Sequence, residues 1–386
     1  MRRKFLWGTA VLYSLLHFAF TGVLQPLRNF YGDFLASFPS WKIAQLTGRL
    51  DLYRGSLSER WGPPPIWHYG PVEHIITLPL FAFSSLRTAY VAWLIVNYVF
   101  VAAAAIIAAW IIDDGRPSAR TSLIVGIGFA NFNPLFEALT QRTIEVFELP
   151  ILLLAFLLYR KMRDRGTGTL LGIAAMSKFL PLVFLPWLAL RKRWRAFVAA
   201  VVVILSIVIV TQYALGWQNS GIILQLIHGV HVDTDTNQSI SGLLIRLTSW
   251  SQEEIAVATL AICVACWNAL WSLFFPRTTS HCDDFEFSIL TLAMVLLIPH
   301  NEQYYFVLLL IPYTLMYARY RAKWNRRLLP LILSFVTIAA PVPLSLLARV
   351  TGLNVMQLYL HWCIPLAGAV ILGFFLAREY GTSCAV

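Results

Sequence analysis

The sequence is a succession of long apolar runs separated by short polar segments. An α-helix rises about 1.5 Å per residue, so roughly 20 apolar residues cross the hydrocarbon core of a bilayer. Runs that reach or approach this length occupy residues 5–24, 88–112, 121–139, 143–159, 197–215, 255–275, 287–299, 304–318, 328–347 and 356–377. The pattern predicts an all-α polytopic membrane protein with about ten spanning helices.

Two basic clusters, at residues 160–165 and 191–195, determine how we interpret the segment between them. Short basic loops mark the cytoplasmic side of a membrane protein, so both ends of the apolar run 169–190 are expected there. A segment with both ends on one side cannot cross. We therefore predict that residues 169–190 form a re-entrant segment, interrupted between Ser177 and Pro181 and buried by other helices or lining a cavity.

The same charge rule fixes the remaining topology. Both termini are expected in the cytoplasm of a multi-pass protein of the plasma (inner) membrane. Two long loops, at about residues 25–73 and 216–254, then lie on the outer side, and the short apolar run 71–83 is predicted to be a juxtamembrane helix of the outer face. Nothing divides the chain into separate parts, so residues 1–386 are predicted to form one transmembrane domain.

Composition agrees with this interpretation and narrows the function. The chain is 58% hydrophobic and only 13% charged, whereas soluble domains carry about 25% charged residues. The net charge of +11 comes from basic residues in short loops, so it indicates membrane topology and not nucleic-acid binding. Cys263 and Cys266 form a C-x-x-C pair inside an apolar run without further ligands, so no metal or cofactor is predicted there.

Asp33 is the first acidic residue after the first apolar run, and it lies between the aromatic residues Tyr31 and Phe34. Partial burial at the membrane surface would make this carboxylate more basic than a free aspartate. That property suits a general base that takes a proton from a sugar hydroxyl. An exposed or helix-capping aspartate is the alternative.

A second polar segment, residues 131–148, lies between two apolar runs. If it is helical, Glu137, Gln141, Glu145 and Glu148 fall close to one face. Polar groups at this depth are costly in lipid, so they should face a cavity. The segment therefore indicates either substrate binding by residues such as Glu137 and Gln141 or a structural polar network.

Three basic side chains are candidates for binding a phosphate. Lys178 lies within the membrane in the interrupted segment, with no acidic residue near it in sequence, and a lipid phosphate could supply its anion. Its alternative is to extend to the cytoplasmic surface. Arg246 offers donors to a phosphate, and His300 could contact a phosphate or a pyranose, although most single histidines are structural.

Further donors and aromatic groups lie in the two outer loops. Tyr69 belongs to a stretch rich in proline and aromatic residues, which could stack on sugar rings or lie at the membrane interface. Asn237 and Gln238 offer hydrogen bonds to hydroxyl groups. Four further polar residues could bind a metal, although their spacing matches no standard motif: His228, His231, Asp233 and Asp235.

Taken together, these motifs resemble glycosyltransferase family 87, whose members belong to the membrane-embedded GT-C class and resemble polyprenyl-phosphate-mannose-dependent enzymes. The segments that carry the resemblance are residues 32–34, 69–71, 172–181 with 193–194, 237–246 and 299–305. The resemblance implies a GT-C fold and an inverting, metal-independent transfer of a hexose, mannose in particular. It implies Asp33 as the catalytic base, with Lys178, Arg246 and His300 near the donor phosphate.

The resemblance also implies the partners. They are a polyprenyl-phosphate sugar donor, a lipid- or glycan-linked acceptor and the surrounding membrane lipids, with the active site on the outer face and no cofactor. Two other functions remain open from sequence: a transporter or lipid flippase, and a non-catalytic relative that binds polyprenyl lipids.

Overall fold

The structure is a computed structural model that describes residues 2–28, 71–83, 85–215, 237–274, 282–298, 301–322, 328–340, 350–351 and 355–384. Every regular element in these residues is helical, which confirms the predicted all-α class. The chain divides into two compact units, each made of discontinuous segments. Unit 1 comprises Met1–Gln25, Ala102–Ala138 and Val232–Val386, and unit 2 comprises Pro26–Val101 and Leu139–His231.

The first nine helices are α1 Arg2–His17, α2 Pro71–Thr77, α3 Leu86–Ile112, α4 Ala119–Phe129, α5 Asn133–Gln141, α6 Glu145–Arg160, α7 Asp164–Lys178, α8 Phe184–Leu190 and α9 Trp194–Leu215. The later ones are α10 Ile240–Leu247, α11 Gln252–Phe274, α12 Asp283–Leu296, α13 Leu310–Tyr320, α14 Leu329–Ala339, α15 Val355–His361 and α16 Ile364–Cys384. A π-helical stretch, Phe18–Leu24, and a single α-helical turn, Gln25–Arg28, continue α1. Turns of 3₁₀ helix at Leu78–Ala82, Leu180–Val183 and Gln303–Leu309 complete the described elements.

Several of these helices are suited to a bilayer. Among the described residues, four segments are long and apolar enough to cross a membrane: Leu6–Arg28, Arg87–Ile112, Gln252–Ser272 and Ile364–Ser383. A bent pair of helices, α4 and α5, adds a fifth candidate. Large apolar side chains also project outward along α1, α9 and α11. The protein is therefore a multi-pass membrane protein, while the count of about ten spans stays a prediction.

Each apolar run of the sequence contains a helix, but some of the runs are broken within the described residues, as two examples show. Residues 121–139 form α4 and α5, which meet at an angle of 63°. Residues 356–377 are divided between α15 and α16, with Cys363 in the left-handed region at φ 48°. Helix breaks of this kind shorten the continuous spans that length and hydropathy alone suggested.

Asn131 lies at the bend between α4 and α5 and ties it to α1. Its side-chain amide donates to the hydroxyl of Ser14 at 2.7 Å and to the carbonyl of Ile127 at 2.8 Å. His17 Nδ1 lies 3.3 Å from Asn131 Oδ1, an acceptor, so this ring nitrogen donates. The Asn131 side chain at the bend thus finds its hydrogen-bond partners within unit 1.

In unit 2, α7 packs closely against α9 through glycine. A Cβ atom on Gly168 would lie 2.0 Å from the carbonyl oxygen of Ala196, and one on Gly172 would lie 2.8 Å from that of Ala200. Small residues let helix backbones approach in this way, which is a common solution where lipid provides no hydrophobic drive for helix association.

The two basic clusters lie at tight turns of the same kind. Met162 between α6 and α7 and Lys192 between α8 and α9 are both left-handed, at φ 56° and 55°. Arg193 donates to Asp164 at 3.1 Å, and its guanidinium lies 4.7 Å from the centre of the Tyr159 ring. The chain from Asp164 to Arg193 therefore leaves and returns to one end of unit 2, the geometry that a re-entrant segment needs. Its position in the membrane stays a prediction.

The interruption within this segment falls where the sequence placed it. Helix α7 ends at Lys178, Phe179 adopts φ 62°, and Pro181 lies in the following 3₁₀ turn. Proline cannot donate a backbone hydrogen bond, and the residue before it disfavours the helical region, so an α-helix cannot continue here unchanged.

We expect Gly168→Ala to destabilise unit 2, because its new methyl group would collide with the backbone of α9. Overpacking of this kind costs about 1–3 kcal/mol, and thermal unfolding of the detergent-solubilised protein should show a lower midpoint. Gly126→Ala in α4 is the matched control, since nothing lies within 4 Å of the new methyl group. Equal midpoints for the two variants would contradict the close packing of α7 and α9.

Candidate functional site

A cluster of buried ionisable and polar side chains joins α6 to α7 in unit 2. Glu145 and Glu148 lie one turn apart at the start of α6, and Ser177 and Lys178 end α7. Glu145, Glu148 and Ser177 are fully buried, and the side chain of Lys178 is 3% exposed. Such groups are rare inside membrane proteins and usually face a partner.

The contacts within this cluster are ionic and hydroxyl-mediated. The ammonium of Lys178 forms an ion pair with Glu145 Oε1. The Ser177 hydroxyl contacts Glu148 Oε1 and also lies 2.6 Å from the carbonyl oxygen of Ala174. The second oxygens of Glu145 and Glu148 are buried and have no hydrogen-bond partner in the described part of the chain.

The charges of this cluster do not balance if both glutamates are ionised, because two carboxylates then face one ammonium. A proton on Glu148 would restore the balance. Both contacts of the Ser177 hydroxyl become hydrogen bonds if Ser177 donates to Ala174 while a protonated Glu148 donates to Ser177. One ammonium then faces one carboxylate, and the cluster is electrically neutral. A neutral cluster avoids the large cost of an uncompensated buried charge.

The structure changes the interpretation of Lys178. Sequence alone offered a lipid phosphate as its anion because no acid lies nearby, but Glu145, 33 residues earlier, supplies that anion. The alternative that Lys178 extends to the cytoplasmic surface is wrong, because its side chain is enclosed by protein. Binding of the donor phosphate by Lys178 stays a prediction.

The expectation that four polar residues share one helical face is wrong. Glu137 and Gln141 lie on α5, whereas Glu145 and Glu148 lie on α6. The helix is interrupted at Arg142, which is left-handed at φ 57°. Glu137 and Gln141 are half-buried and make polar contacts, and their predicted role in substrate binding stays a prediction.

Arg142 is a buried residue that sequence reasoning did not single out. Its guanidinium donates to the carbonyls of Thr140 at 2.7 Å and Pro26 at 2.8 Å, and it lies 3.0 Å from the centre of the Tyr90 ring. The carbonyl of Arg142 accepts from Trp93 Nε1 at 3.3 Å. An arginine between two apolar runs was the available signal, because a buried guanidinium needs several acceptors.

In unit 1, Asn237 joins two of the predicted elements. Its Oδ1 accepts from the backbone N–H of Ser239 at 2.9 Å and of Asn301 at 3.0 Å. Asn301 directly follows His300 and belongs to the segment 299–305. The segments 237–246 and 299–305, which are distant in sequence, therefore meet as side chain and backbone. Asn237, Ser239 and Asn301 are all fully buried.

Gln238 completes this connection. Its backbone N–H donates to the carbonyl of Asn301, and its side-chain amide donates to the carbonyl of Leu360 at 3.0 Å. The next residue, Ser239, caps α10 by accepting from the N–H of Gly242 at 3.3 Å. Asn237 and Gln238 thus hold the start of α10 in place, and their predicted contact with substrate stays a prediction.

Arg246 lies in the last turn of α10 and is half-buried. Its Nη1 donates to Cys363 Sγ at 2.6 Å, so it reaches the turn between α15 and α16. Lys178 belongs to unit 2 and Arg246 to unit 1. Their joint binding of a phosphate stays a prediction.

Several predicted site residues lie outside the described residues: Asp33, Tyr69, His300, His228, His231, Asp233 and Asp235. Within the described ranges, no group of three or more His, Cys, Asp or Glu side chains is arranged to hold a metal ion.

The ion pair can be tested by a double-mutant cycle with Lys178→Met and Glu145→Gln. Removing one partner of a buried pair typically costs about 3–5 kcal/mol, so each single variant should unfold at a lower temperature. The double variant should lose less than the sum. The Arg193–Asp164 pair, with side chains 17% and 21% exposed, is the matched control and should show weaker coupling. Additive losses at Lys178 and Glu145 would contradict a direct pair.

Comparison with known proteins identifies the family. No curated protein matches the chain. The model of glycosyltransferase family 87 matches residues 67–299, which include the α6–α7 cluster, Asn237, Gln238 and Arg246. The match covers more than half of the sequence, and the helices agree with a membrane enzyme. The chain therefore belongs to glycosyltransferase family 87.

Proposed function

We propose that this protein moves a hexose, mannose in particular, from a polyprenyl-phosphate sugar to a lipid- or glycan-linked acceptor on the outer face of the cell membrane. Family membership makes the protein a membrane glycosyltransferase. The proposal goes further in naming a lipid-linked sugar as the donor, and its main support is the helical architecture of the described residues.

The helical secondary structure of the described residues supports a lipid-linked donor. Doubly wound nucleotide-binding folds bind the pyrophosphate at the carboxyl ends of parallel strands. The described part of this chain contains helices and 3₁₀ or π turns, without a strand. A sugar carried on a membrane lipid reaches such an enzyme from the bilayer, where its helices are.

The proposed reaction is a single displacement. The acceptor hydroxyl oxygen forms a bond to the anomeric carbon while the bond from that carbon to the phosphate oxygen breaks. The electron pair leaves with the polyprenyl phosphate, and the hydroxyl proton goes to Asp33. Attack from the side opposite the phosphate inverts the configuration at the anomeric carbon.

The departing phosphate needs positive charge and hydrogen-bond donors, not an acid. Lys178, Arg246 and His300 are the proposed groups. Lys178 is already paired with Glu145, but an ammonium has three N–H donors, so this pair does not exclude a phosphate contact. Arg246 donates to a thiol, and a guanidinium has five N–H donors.

Five further residues are proposed to recognise sugar or acceptor hydroxyls: Tyr69, Glu137, Gln141, Asn237 and Gln238. Amide and phenol groups can both donate to and accept from a hydroxyl, and a carboxylate accepts from it. Asn237 and Gln238 would act from preorganised side chains, since hydrogen bonds to Asn301 and Leu360 hold them.

The proposed orientation places both termini in the cytoplasm and the active site outside. Its support is the meeting of the two basic turns, where Arg193 pairs with Asp164. Basic residues gathered at one end of a membrane unit mark the cytoplasmic side.

Purified protein should release polyprenyl phosphate when it is given the correct lipid-phosphate sugar and an acceptor lipid extract. A panel of donors that differ only in the hexose identifies the sugar, and the anomeric configuration of the product tests inversion. Mannose transfer with inversion is the expected result. Retention of configuration would contradict the single displacement.

Asp33→Asn should lower turnover by at least about 100-fold, because general-base assistance contributes about 100- to 10,000-fold to rate. The amide keeps the shape of the side chain but cannot take the proton. Donor binding should survive, since other residues hold the phosphate.

Asp51→Asn is the matched control from the same predicted loop, and it should retain activity. If Asp33→Asn keeps near wild-type turnover at saturating donor and acceptor, Asp33 is not the base. Asp51, Glu73 and Glu302 would then be tested in the same way.

A further inference from the structure

Unit 1 contains an apolar cavity of about 310 Å³ that lies apart from the predicted site residues. Helices α4, α13 and α14 and the end of α3 form its walls. Small-molecule sites occupy roughly 300–1,000 Å³, so this one has room for part of a lipid chain.

The walls are apolar and aromatic along most of their length. On α13, Tyr313 and Tyr317 are four residues apart and present one helical face to the cavity, with Phe129 and Phe335 contributing from α4 and α14. The Tyr313 hydroxyl is already bonded to Ser334 at 2.6 Å. A ligand in the cavity would therefore contact the aromatic ring of Tyr313 and not its hydroxyl group.

One end of the cavity is basic. Arg321, immediately after α13, lines it and forms an ion pair with Asp113. Asp113 also accepts from the backbone N–H of Ser118 at 2.7 Å, so its charge is shared. Residues 319–327 contain five basic side chains and no acidic one.

Two other acids near this end are engaged. Asp284 lies 3.8 Å from Arg319. Glu379 accepts a hydrogen bond of 2.6 Å from the Tyr320 hydroxyl. Burial, together with this bond, raises the pKa of Tyr320 to about 12, so the phenol is neutral at physiological pH. Among the described residues that line the cavity, Arg321 is the charged one, so the group of a ligand that meets it would be an anion.

We propose that this cavity binds one acyl chain of an anionic phospholipid, with the headgroup phosphate at Arg321. A phospholipid is favoured over the sugar donor because basic runs such as 319–327 mark the cytoplasmic leaflet, where anionic lipids concentrate. The proposed sugar transfer takes place on the opposite face. The choice of a phospholipid over the sugar donor rests on the proposed orientation, whereas the cavity and its lining arginine do not.

Two glycines of α4 allow a matched test. A side chain on Gly128 would extend into the cavity, and nothing lies within 4 Å of its Cβ position. Gly126, on the same helix, is exposed, is equally unobstructed and does not line the cavity. Gly128→Leu fills the site, while Gly126→Leu makes the same chemical change elsewhere.

The measurement is the thermal midpoint of the full-length protein in detergent, titrated with phosphatidylglycerol or phosphatidylcholine of equal chain length. Phosphatidylglycerol should raise the midpoint of the wild type and of Gly126→Leu more than phosphatidylcholine does. Gly128→Leu should bind phosphatidylglycerol about tenfold more weakly, because a leucine displaces about two methylene groups of the chain.

The headgroup contact needs its own pair of variants. Arg321→Gln and the double variant Arg321→Gln/Asp113→Asn should both lose the preference for phosphatidylglycerol. If the double variant regains it, Arg321 serves only its partner Asp113 and the proposed headgroup site is wrong. Equal shifts from both lipids in the wild type, or an unchanged response in Gly128→Leu, would also overturn the proposal.

A further measurement requires no variant. Native mass spectrometry of the wild-type protein purified from cells should retain an anionic phospholipid, which added phosphatidylglycerol displaces more readily than phosphatidylcholine. A protein that retains only zwitterionic lipid, or none, would contradict the inference even if Gly128→Leu failed to fold.

Discussion

The buried ion pair between Lys178 and Glu145 fixes how α6 and α7 lie against each other, and much of unit 2 follows from it. A bilayer has no water to solvate a charge, so an ammonium within the protein must find its anion there. Because Lys178 ends α7, pairing it with α6 places the helix break at Phe179 in a defined position. The chain then turns back through Pro181 and reaches Asp164 again through Arg193.

The same constraint explains the polar interior of unit 1. The side chain of Asn237 accepts a hydrogen bond from the backbone N–H of Asn301. At a helix bend, the side-chain amide of Asn131 donates to the Ser14 hydroxyl. The Ser334 hydroxyl donates to the carbonyl of Gly368 at 2.7 Å. Each of these hydrogen bonds lies where a helix begins, bends or packs against another helix. Irregular backbone within a membrane protein is tolerated where protein groups satisfy it. Asn237, which is proposed to contact substrate, therefore also holds an irregular segment in place.

The sequence predicted features that depend on a few neighbouring residues, such as helices and a helix break. It did not predict contacts between residues that are distant in the chain. Hydropathy located a helix in every apolar run, and proline at position 181 located the break beside Lys178, because both signals lie within a few residues. Glu145 could not be assigned as the partner of Lys178, since 33 residues separate them and helix pairing is not encoded by spacing. Nor did the pattern reveal that Arg142 interrupts the helix that was expected to carry Glu137 and Glu145 on one face.

The central claim is that the sugar arrives on a lipid phosphate. Family membership rests on residues 67–299, so it establishes glycosyl transfer while Asp33 lies outside the matched residues. The most direct measurement supplies reconstituted protein with one isotopically labelled hexose, carried either on polyprenyl phosphate or on a nucleotide, together with the same acceptor extract. The account predicts labelled product from the polyprenyl-phosphate sugar and none from the nucleotide sugar. Product formed from the nucleotide sugar, with none from the lipid-linked sugar, would contradict it.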